Sequence, residues 1–305
     1  MKKISETIVF FGSGPVAAES LELLASWIDI EAVVTKPQPP HHQEPFPVLV
    51  TAKRLGLRTF TPNGKAELSE FMATHKFHSQ LGVVIDYGFI IKQDVIDEFP
   101  LGIINSHFSL LPELRGADPI TFSILSGQKQ TGISLMLIVQ KMDEGPLLAQ
   151  ATYDLPANIT TPELTEDLID LSNQTLKIIL PEYLAGNLKA VPQQGESSYS
   201  RKLTKSDGQL DFTKPASQLE REIRAFKGWP KSHTIVAGKE VVITKSSLVK
   251  PEGLSDKLPI GTISVINKGL YIQTAAGVLV VEALKPAGKP EMSAKDFLNG
   301  YSKGL

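Results

Sequence analysis

The chain has 305 residues, 42% hydrophobic and 21% charged, with a formal net charge of −2: the balance of a soluble globular protein with one large domain or two ordinary ones. It contains no cysteine, which excludes disulfides, thiol nucleophiles, cysteine zinc sites and iron–sulfur clusters. No signal-peptide pattern follows Lys2 and Lys3, and no apolar run approaches the length of a membrane span, so the expected location is cytoplasmic and the expected state a monomer.

Thr7 to Phe11 reads as a buried strand, Gly12 to Ala17 as a Gly-rich turn, and Leu21, Leu23, Leu24 and Trp27 as the apolar positions of a helix. Pro15 suits the first helical turn, where a missing N–H costs nothing. Ile30 to Val34 is the next strand, completing a βαβ start. The spacing Gly12-x-Gly14-x-x-Ala17 also fits a dinucleotide fingerprint, so a dinucleotide-dependent oxidoreductase is a rival reading. That motif expects an acidic residue at the end of the second strand, where this chain has Val34-Thr35-Lys36. Lys36 to Pro47 holds five prolines and reads as a loop, and its adjacent His41 and His42 complete no metal set.

Helices are expected over Val48–Leu55, Glu67–His75 and Ile91–Phe99, the last stopped by Pro100, with strands over Thr59–Pro62 and Leu81–Ile85. His75 and His78 lack any H-E-x-x-H context. Ile103 and Ile104 then lead directly into Asn105, Ser106 and His107. Strands alternating with helices as far as His107 imply a doubly wound, mostly parallel sheet, with ligands at the carboxyl ends of the strands. Thr35, Asp86 and Asn105 fall at such ends.

A helix is expected over Pro119–Ser126, then an antiparallel pair, Thr131–Val139 and Leu147–Thr152, joined by a tight acidic turn at Asp143-Glu144-Gly145. A helix capped by Thr160 or Thr161 runs towards Tyr183, with a break expected near Pro181. The polar stretch 192–206 reads as a linker, which divides the chain into 1–191 and 207–305. After a helix over Ala216–Phe226, short strands follow: His233–Val236, Glu240–Thr244, Gly261–Ile266, Leu270–Thr274 and Val278–Leu284. Their spacing indicates a small antiparallel, OB-like β-barrel. Residues 1–206 carry 17 Lys+Arg against 23 Asp+Glu, whereas residues 207–305 carry 14 against 10. The basic second part suits a polyanionic partner, and a scatter of solvated charge is the plain alternative.

G-x-S-x-G and P-loop patterns are absent. The residues left with chemistry are Asn105, His107 and Asp143. Histidine is the side chain that best moves protons near neutral pH. Asn105, two residues earlier on an extended strand, projects from the same side and offers N–H groups to an oxyanion. Asp143 is placed to orient the histidine or to accept a proton through water. With no nucleophile among them, the three suit direct acyl transfer between donor and acceptor. Each has a structural alternative: a turn cap, a satisfied buried histidine and an Asx-turn residue.

N-S-H-F-S-L-L-P-E-L-R-G-A-D-P-I, followed by T-G-I-S-L-M and M-D-E-G-P, resembles the folate-dependent formyltransferases in order and spacing. Ser198 to Phe212 and Gln218 to Pro230 resemble the corresponding segments of the branch that acts on methionyl-tRNA. The resemblance implies that 10-formyltetrahydrofolate is the co-substrate, without a metal, and that initiator methionyl-tRNA is the acceptor partner, for translation initiation. It implies that Asn105 and His107 stabilise the tetrahedral oxyanion, while Asp143 positions His107 and helps deprotonate the amine. It places the folate along Ser109, Leu110, Leu111 and Pro112 and the turn Asp86, Tyr87 and Gly88, with Arg115 and Gly116 at the entrance. Two departures stand out. The family's loop after the second strand is basic and Gly-rich, whereas Pro37 to Pro47 has no Arg or Lys, and Asp86 replaces a small apolar residue. The altered loop keeps a rival acceptor open, a nucleotide-linked amino sugar.

Overall fold

The computed structural model describes residues 6–38, 46–249, 252, 254 and 258–301. In chain order the first part contains β1 (Thr7–Phe11), α1 (Pro15–Ala25), β2 (Asp29–Val34), α2 (Pro47–Arg54), β3 (Thr59–Phe60), α3 (Lys65–Thr74), β4 (Gly82–Val84), α4 (Gln93–Ile96), β5 (Ile103–His107), β6 (Arg115–Gly116), α5 (Pro119–Ser126), β7 (Gln130–Leu137), β8 (Leu147–Asp154), α6 (Thr161–Leu184) and β9 (Tyr199–Ser200). The remainder contains α7 (Ala216–Ala225), β10 (Ser232–Val236), β11 (Lys239–Ser247), β12 (Ile263–Ile266), β13 (Gly269–Gln273), β14 (Val278–Pro286), β15 (Met292–Ser293) and α8 (Ala294–Tyr301).

Seven strands form one sheet in the order β3-β2-β1-β4-β5-β7-β8. The ladders from β3 to β5 are parallel, and β7 and β8 add antiparallel edges. Ile8, Val9, Phe10 and Phe11 have no exposed surface, as expected of a strand covered on both faces. Each such side chain removed from water contributes roughly 1.5–3 kcal/mol. After β1 the chain winds first to β2 and β3, then reverses to β4 and β5, so a crevice opens beyond the carboxyl ends of β1 and β4. Gly12 is needed there for space: a Cβ would lie 2.6 Å from that of Ala17 and 2.9 Å from the Ile85 carbonyl. Close packing accounts for this glycine without a dinucleotide.

Three elements differ from expectation. Helix α4 is a single turn, because the residues after Ile96 bond back as tight turns (Phe99 N–H to Ile96, Gly102 N–H to Phe99) and Pro100 has no N–H to give. Helix α6 runs through Pro181 to Leu184; so near its end, proline forfeits only the bond to the Lys177 carbonyl. Thr160 caps this helix, with Glu163 accepting from both its N–H and its hydroxyl. The β7–β8 connection spans residues 138–146 rather than a tight turn.

The chain separates into two compact units. The first comprises residues 1–119, 130–154 and 165–200; the second comprises 120–129, 155–164 and 201–305. The stretch 192–200, which read as linker, is fastened within the first unit: β9 pairs in parallel with β6, and Val191 bridges Leu147. In the second unit the sheet order is β10-β11-β14-β13-β12, all antiparallel, with β15 beside β14. No ladder joins β10 to β12 among the described residues, so the β domain is open at that edge. Its core gathers Leu219 and Ile223 of α7, Val241, Ile272 and Leu284 of the sheet, and Phe297 of α8. Among the described residues, no helix is long and apolar enough to cross a membrane.

Candidate active site

Strand β5 lies between β4 and β7, with Asn105 opposite Val84 and Met136 and His107 opposite Ser134. Its alternation sends Ser106 to the far face, where its hydroxyl meets Ser172 of α6 at 2.7 Å, and sends Asn105 and His107 to the other. His107 is buried, at 6% exposure. Its Nε2 lies 3.0 Å from the Leu114 carbonyl oxygen. A carbonyl only accepts, so Nε2 carries the proton, and Nδ1 is left for chemistry. Nδ1 faces Asp143, whose Oδ1 is 3.8 Å away, just beyond direct hydrogen-bonding reach. The other oxygen, Oδ2, accepts from the Gly116 N–H at 2.7 Å. The Asn105 amide is half-buried and has no hydrogen-bond partner among the described residues. Its donors are available to a ligand oxygen.

The loop between His107 and Gly116 is bound on two sides. On one, Ser134 of β7 donates to the Ser109 carbonyl (2.7 Å) and accepts from the Leu111 N–H (2.9 Å), while Gln150 of β8 donates to the Leu111 carbonyl (2.8 Å) and to the Ser134 hydroxyl (2.9 Å). The Ser109 hydroxyl closes on the Glu113 carbonyl at 2.6 Å, and the Leu111–Pro112 peptide is cis. On the other side, the Leu114 N–H donates to the Ser198 hydroxyl (2.9 Å) and the Arg115 N–H to the Ser198 carbonyl (2.9 Å). The Ser200 hydroxyl donates to the Leu114 carbonyl that holds His107 (3.3 Å) and to the Arg115 carbonyl (3.2 Å). Gly116 is obligatory: its φ is 103°, and a Cβ would stand 2.5 Å from the Ser200 carbonyl oxygen. Ser109, Leu111 and Pro112 are therefore buried, and Leu110 half-buried.

Beside β5, the turn after β4 carries Asp86, Tyr87 and Gly88. Asp86 has φ 47° and its carbonyl accepts from the Ser13 and Gly14 N–H groups. Its carboxyl is reached by solvent yet walled closely by protein: a Cβ on Gly14 would sit 2.0 Å from it. This confinement pushes its pKa up to about 6, with Lys36 opposing the rise and Asp118 adding to it. The Lys36 ammonium donates to the Gly88 carbonyl at 2.9 Å and stands 4.3 Å over the Phe89 ring. Tyr87 is 2% exposed and edge-on to Phe11 and Phe89. Its ring belongs to the core, so of these three residues Asp86 and Gly88 reach the surface. Arg115, which the resemblance sets at the entrance beside Gly116, is mostly buried and faces Glu144 at 3.6 Å. The loop Pro37 to Pro47 falls largely at residues 39–45, with His41 and His42, outside the described residues.

Asn105 and His107 thus share one face of β5, and Asp143 lies beside His107. Sequence reasoning missed Ser134, Gln150, Gln193, Ser198 and Ser200. Ser134 left a signal as a polar residue inside the apolar run T-G-I-S-L-M, and Ser198 and Ser200 lie in the segment whose resemblance was noted, without a role being read for them.

A formyl transferase family model matches residues 8–180, and a formyl transferase C-terminal domain model matches residues 202–302. A methionyl-tRNA formyltransferase of Roseiflexus castenholzii is 35% identical over 304 residues, covering 97% of this chain and 96% of its own length. One of Myxococcus xanthus is 34% identical over 300 residues, covering 96% and 95%. Among solved structures, an N-formyltransferase of Helicobacter canadensis, crystallised with folinic acid and dTDP-3-aminofucose, aligns with a TM-score of 0.68 at 17% identity, covering 92% of this chain and 99% of its own. A sugar 3N-formyl transferase, crystallised with dTDP and 5-N-formyl-THF, aligns at 0.68 and 19%, covering 94% and 100%. At such identities the structural likeness shows the shared fold alone.

Proposed function

The chain belongs to the formyl transferase family, a folate-dependent one-carbon transferase, and from this we propose that it moves the formyl group of 10-formyltetrahydrofolate to the α-amino group of methionyl initiator tRNA. The observation that carries the choice of acceptor is the 35% identity with a methionyl-tRNA formyltransferase along 97% of this chain, through both units.

In this reading the folate lies along Ser109–Pro112 and the Asp86–Gly88 turn, and Arg115 and Gly116 shape its entrance. The amine attacks the formyl carbon, and its carbonyl oxygen becomes an oxyanion. The Asn105 amide donates to that oxygen, as does the Nδ1–H of His107 when the ring is protonated. Nε2 cannot serve, being committed to Leu114. Asp143 takes the amine proton, directly or through one water. That proton goes to N10 of the folate as the bond from N10 to the formyl carbon breaks. An α-amino group titrates at about 7.7–8, so a usable fraction is already neutral, and alignment matters more than activation.

The test is transfer of labelled formyl from 10-formyltetrahydrofolate to methionyl-tRNA by the purified protein. Asn105→Ala and His107→Ala should each lower kcat by roughly 10²–10⁴-fold. Wild-type rates in both variants would overturn the assignment of roles. Transfer to a nucleotide-linked amino sugar, with none to methionyl-tRNA, would overturn the acceptor.

A further inference from the structure

Asp143 stands on the loop 138–146 with φ 54° and exposed neighbours, Lys141 and Met142. A carboxylate so placed keeps its distance from His107 only if the loop backbone is held. The Gly116 N–H holds one carboxylate oxygen. The backbone itself is held by Gln193, fifty positions further on. The Gln193 side-chain amide donates one proton to the Asp143 carbonyl (2.7 Å) and the other to the Gly145 carbonyl (2.8 Å). Its oxygen accepts from Arg115 Nη2 (2.7 Å) and Nε (3.3 Å). These partners fix the amide's orientation, because the reverse would set its oxygen against two carbonyls and its NH₂ against a guanidinium. The contacts close a ring: Arg115 to Gln193, Gln193 to Asp143, Asp143 to Gly116, and Gly116 back to Arg115 through the chain. Asp143 cannot move away from the loop that anchors His107 without opening it.

We infer that Gln193 is a positioning residue for formyl transfer, acting through Asp143 by clamping its backbone to Arg115. The inference rests on the role proposed above for Asp143. Only a primary amide fits the place, since two carbonyls need two donors and the guanidinium needs an acceptor. Glutamate retains the acceptor and loses both donors; leucine fills the space and loses everything polar.

The experiment compares Gln193→Leu and Gln193→Glu with wild type, each also combined with Asp143→Asn, in full-length protein. Both single variants should lose about 10–100-fold in kcat, the scale of misplacing a reacting group by an ångström, with KM for folate and methionyl-tRNA unchanged within about two-fold. In the Asp143→Asn background neither should lose more, because the group being positioned is already disabled. Should one variant fail to fold, the other reads the same outcome. Wild-type kcat in either folded variant, a loss seen only in KM, or a loss that adds in full to that of Asp143→Asn would overturn the inference. Wild-type activity in Asp143→Asn itself would instead refute the reading of Asp143, and the inference with it.

Discussion

Replacing Gly145 by alanine isolates how much of the activity depends on where the Asp143 turn sits. Gly145 is not among the residues with positive φ, so alanine suits its backbone conformation. What is missing is room. A Cβ would lie 1.7 Å from the Leu137 carbonyl oxygen at the end of β7, whereas real contacts of this kind begin near 3.0 Å. The turn must therefore retreat by about 1.3 Å, the difference between these two distances. The obstacle is backbone held in the sheet, with the Leu137 N–H bonded to the Pro146 carbonyl at 3.0 Å. Asp143 and His107 are already 3.8 Å apart, and a displacement of this size at a reacting group costs on the order of 10²-fold in rate. Overpacking also costs roughly 1–3 kcal/mol of stability. Gly186→Ala is the control. Its φ is 76° with nothing near the added methyl, so it should lose about 1 kcal/mol and no activity. Single-turnover formyl transfer, at saturating folate and methionyl-tRNA, reads the effect. A Gly145→Ala protein with wild-type single-turnover rate would refute the reasoning, because the turn would then tolerate a shift that the catalytic geometry should not.

Two further expectations concern stability. Asp86 has a folded pKa of about 6 against an ordinary 3.8, so the native state keeps its proton where the unfolded chain has lost it. Its contribution is fully present below about 4 and fades as pH rises through about 6. Asp86→Asn should therefore melt progressively higher relative to wild type as pH rises from 4 to 7; parallel melting curves across that range would show that Asp86 does not titrate in this way. Phe297 of α8 has no exposed surface and stacks on Tyr301, with ring centres 4.8 Å apart. Phe297→Ala should lower stability by roughly 3–5 kcal/mol, seen as a lower urea midpoint at unchanged slope, and a loss under 1 kcal/mol would mean that α8 is not part of the core.

The parallel sheet was legible because its strands are continuous apolar runs; Thr7–Phe11 and Ile103–Ile104 cannot be placed anywhere but the interior. Asn105 and His107 were legible for the same reason, since two polar side chains at the end of a buried strand must emerge at the sheet's carboxyl edge. Asp143 was found as a turn residue, but nothing local sets its distance from His107. Its carboxylate is bonded to Gly116 and its backbone carbonyl to Gln193, which come from other parts of the chain. Gln193 was invisible because its stretch has no hydrophobic period, and its side-chain hydrogen bonds all reach across 48 residues or more. Helix α8 was missed although Ser293 and Asp296 bond to each other as a cap; the S-x-x-D spacing was readable, and Gly300 and the short length hid it.

The pairing of β6 with β9 also sets an order in time. Chains emerge from the ribosome N-terminus first, and compact units fold as they appear. The sheet, His107 and Asp143 are all complete by Asp154, but the residues that fasten their loops, Gln193, Ser198 and Ser200, are among the last of the first unit to be synthesised. A nascent chain therefore carries Asn105, His107 and Asp143, the groups proposed to react, before it carries the residues that fasten their loops. On the proposed roles, competence arrives with the final few residues of that unit.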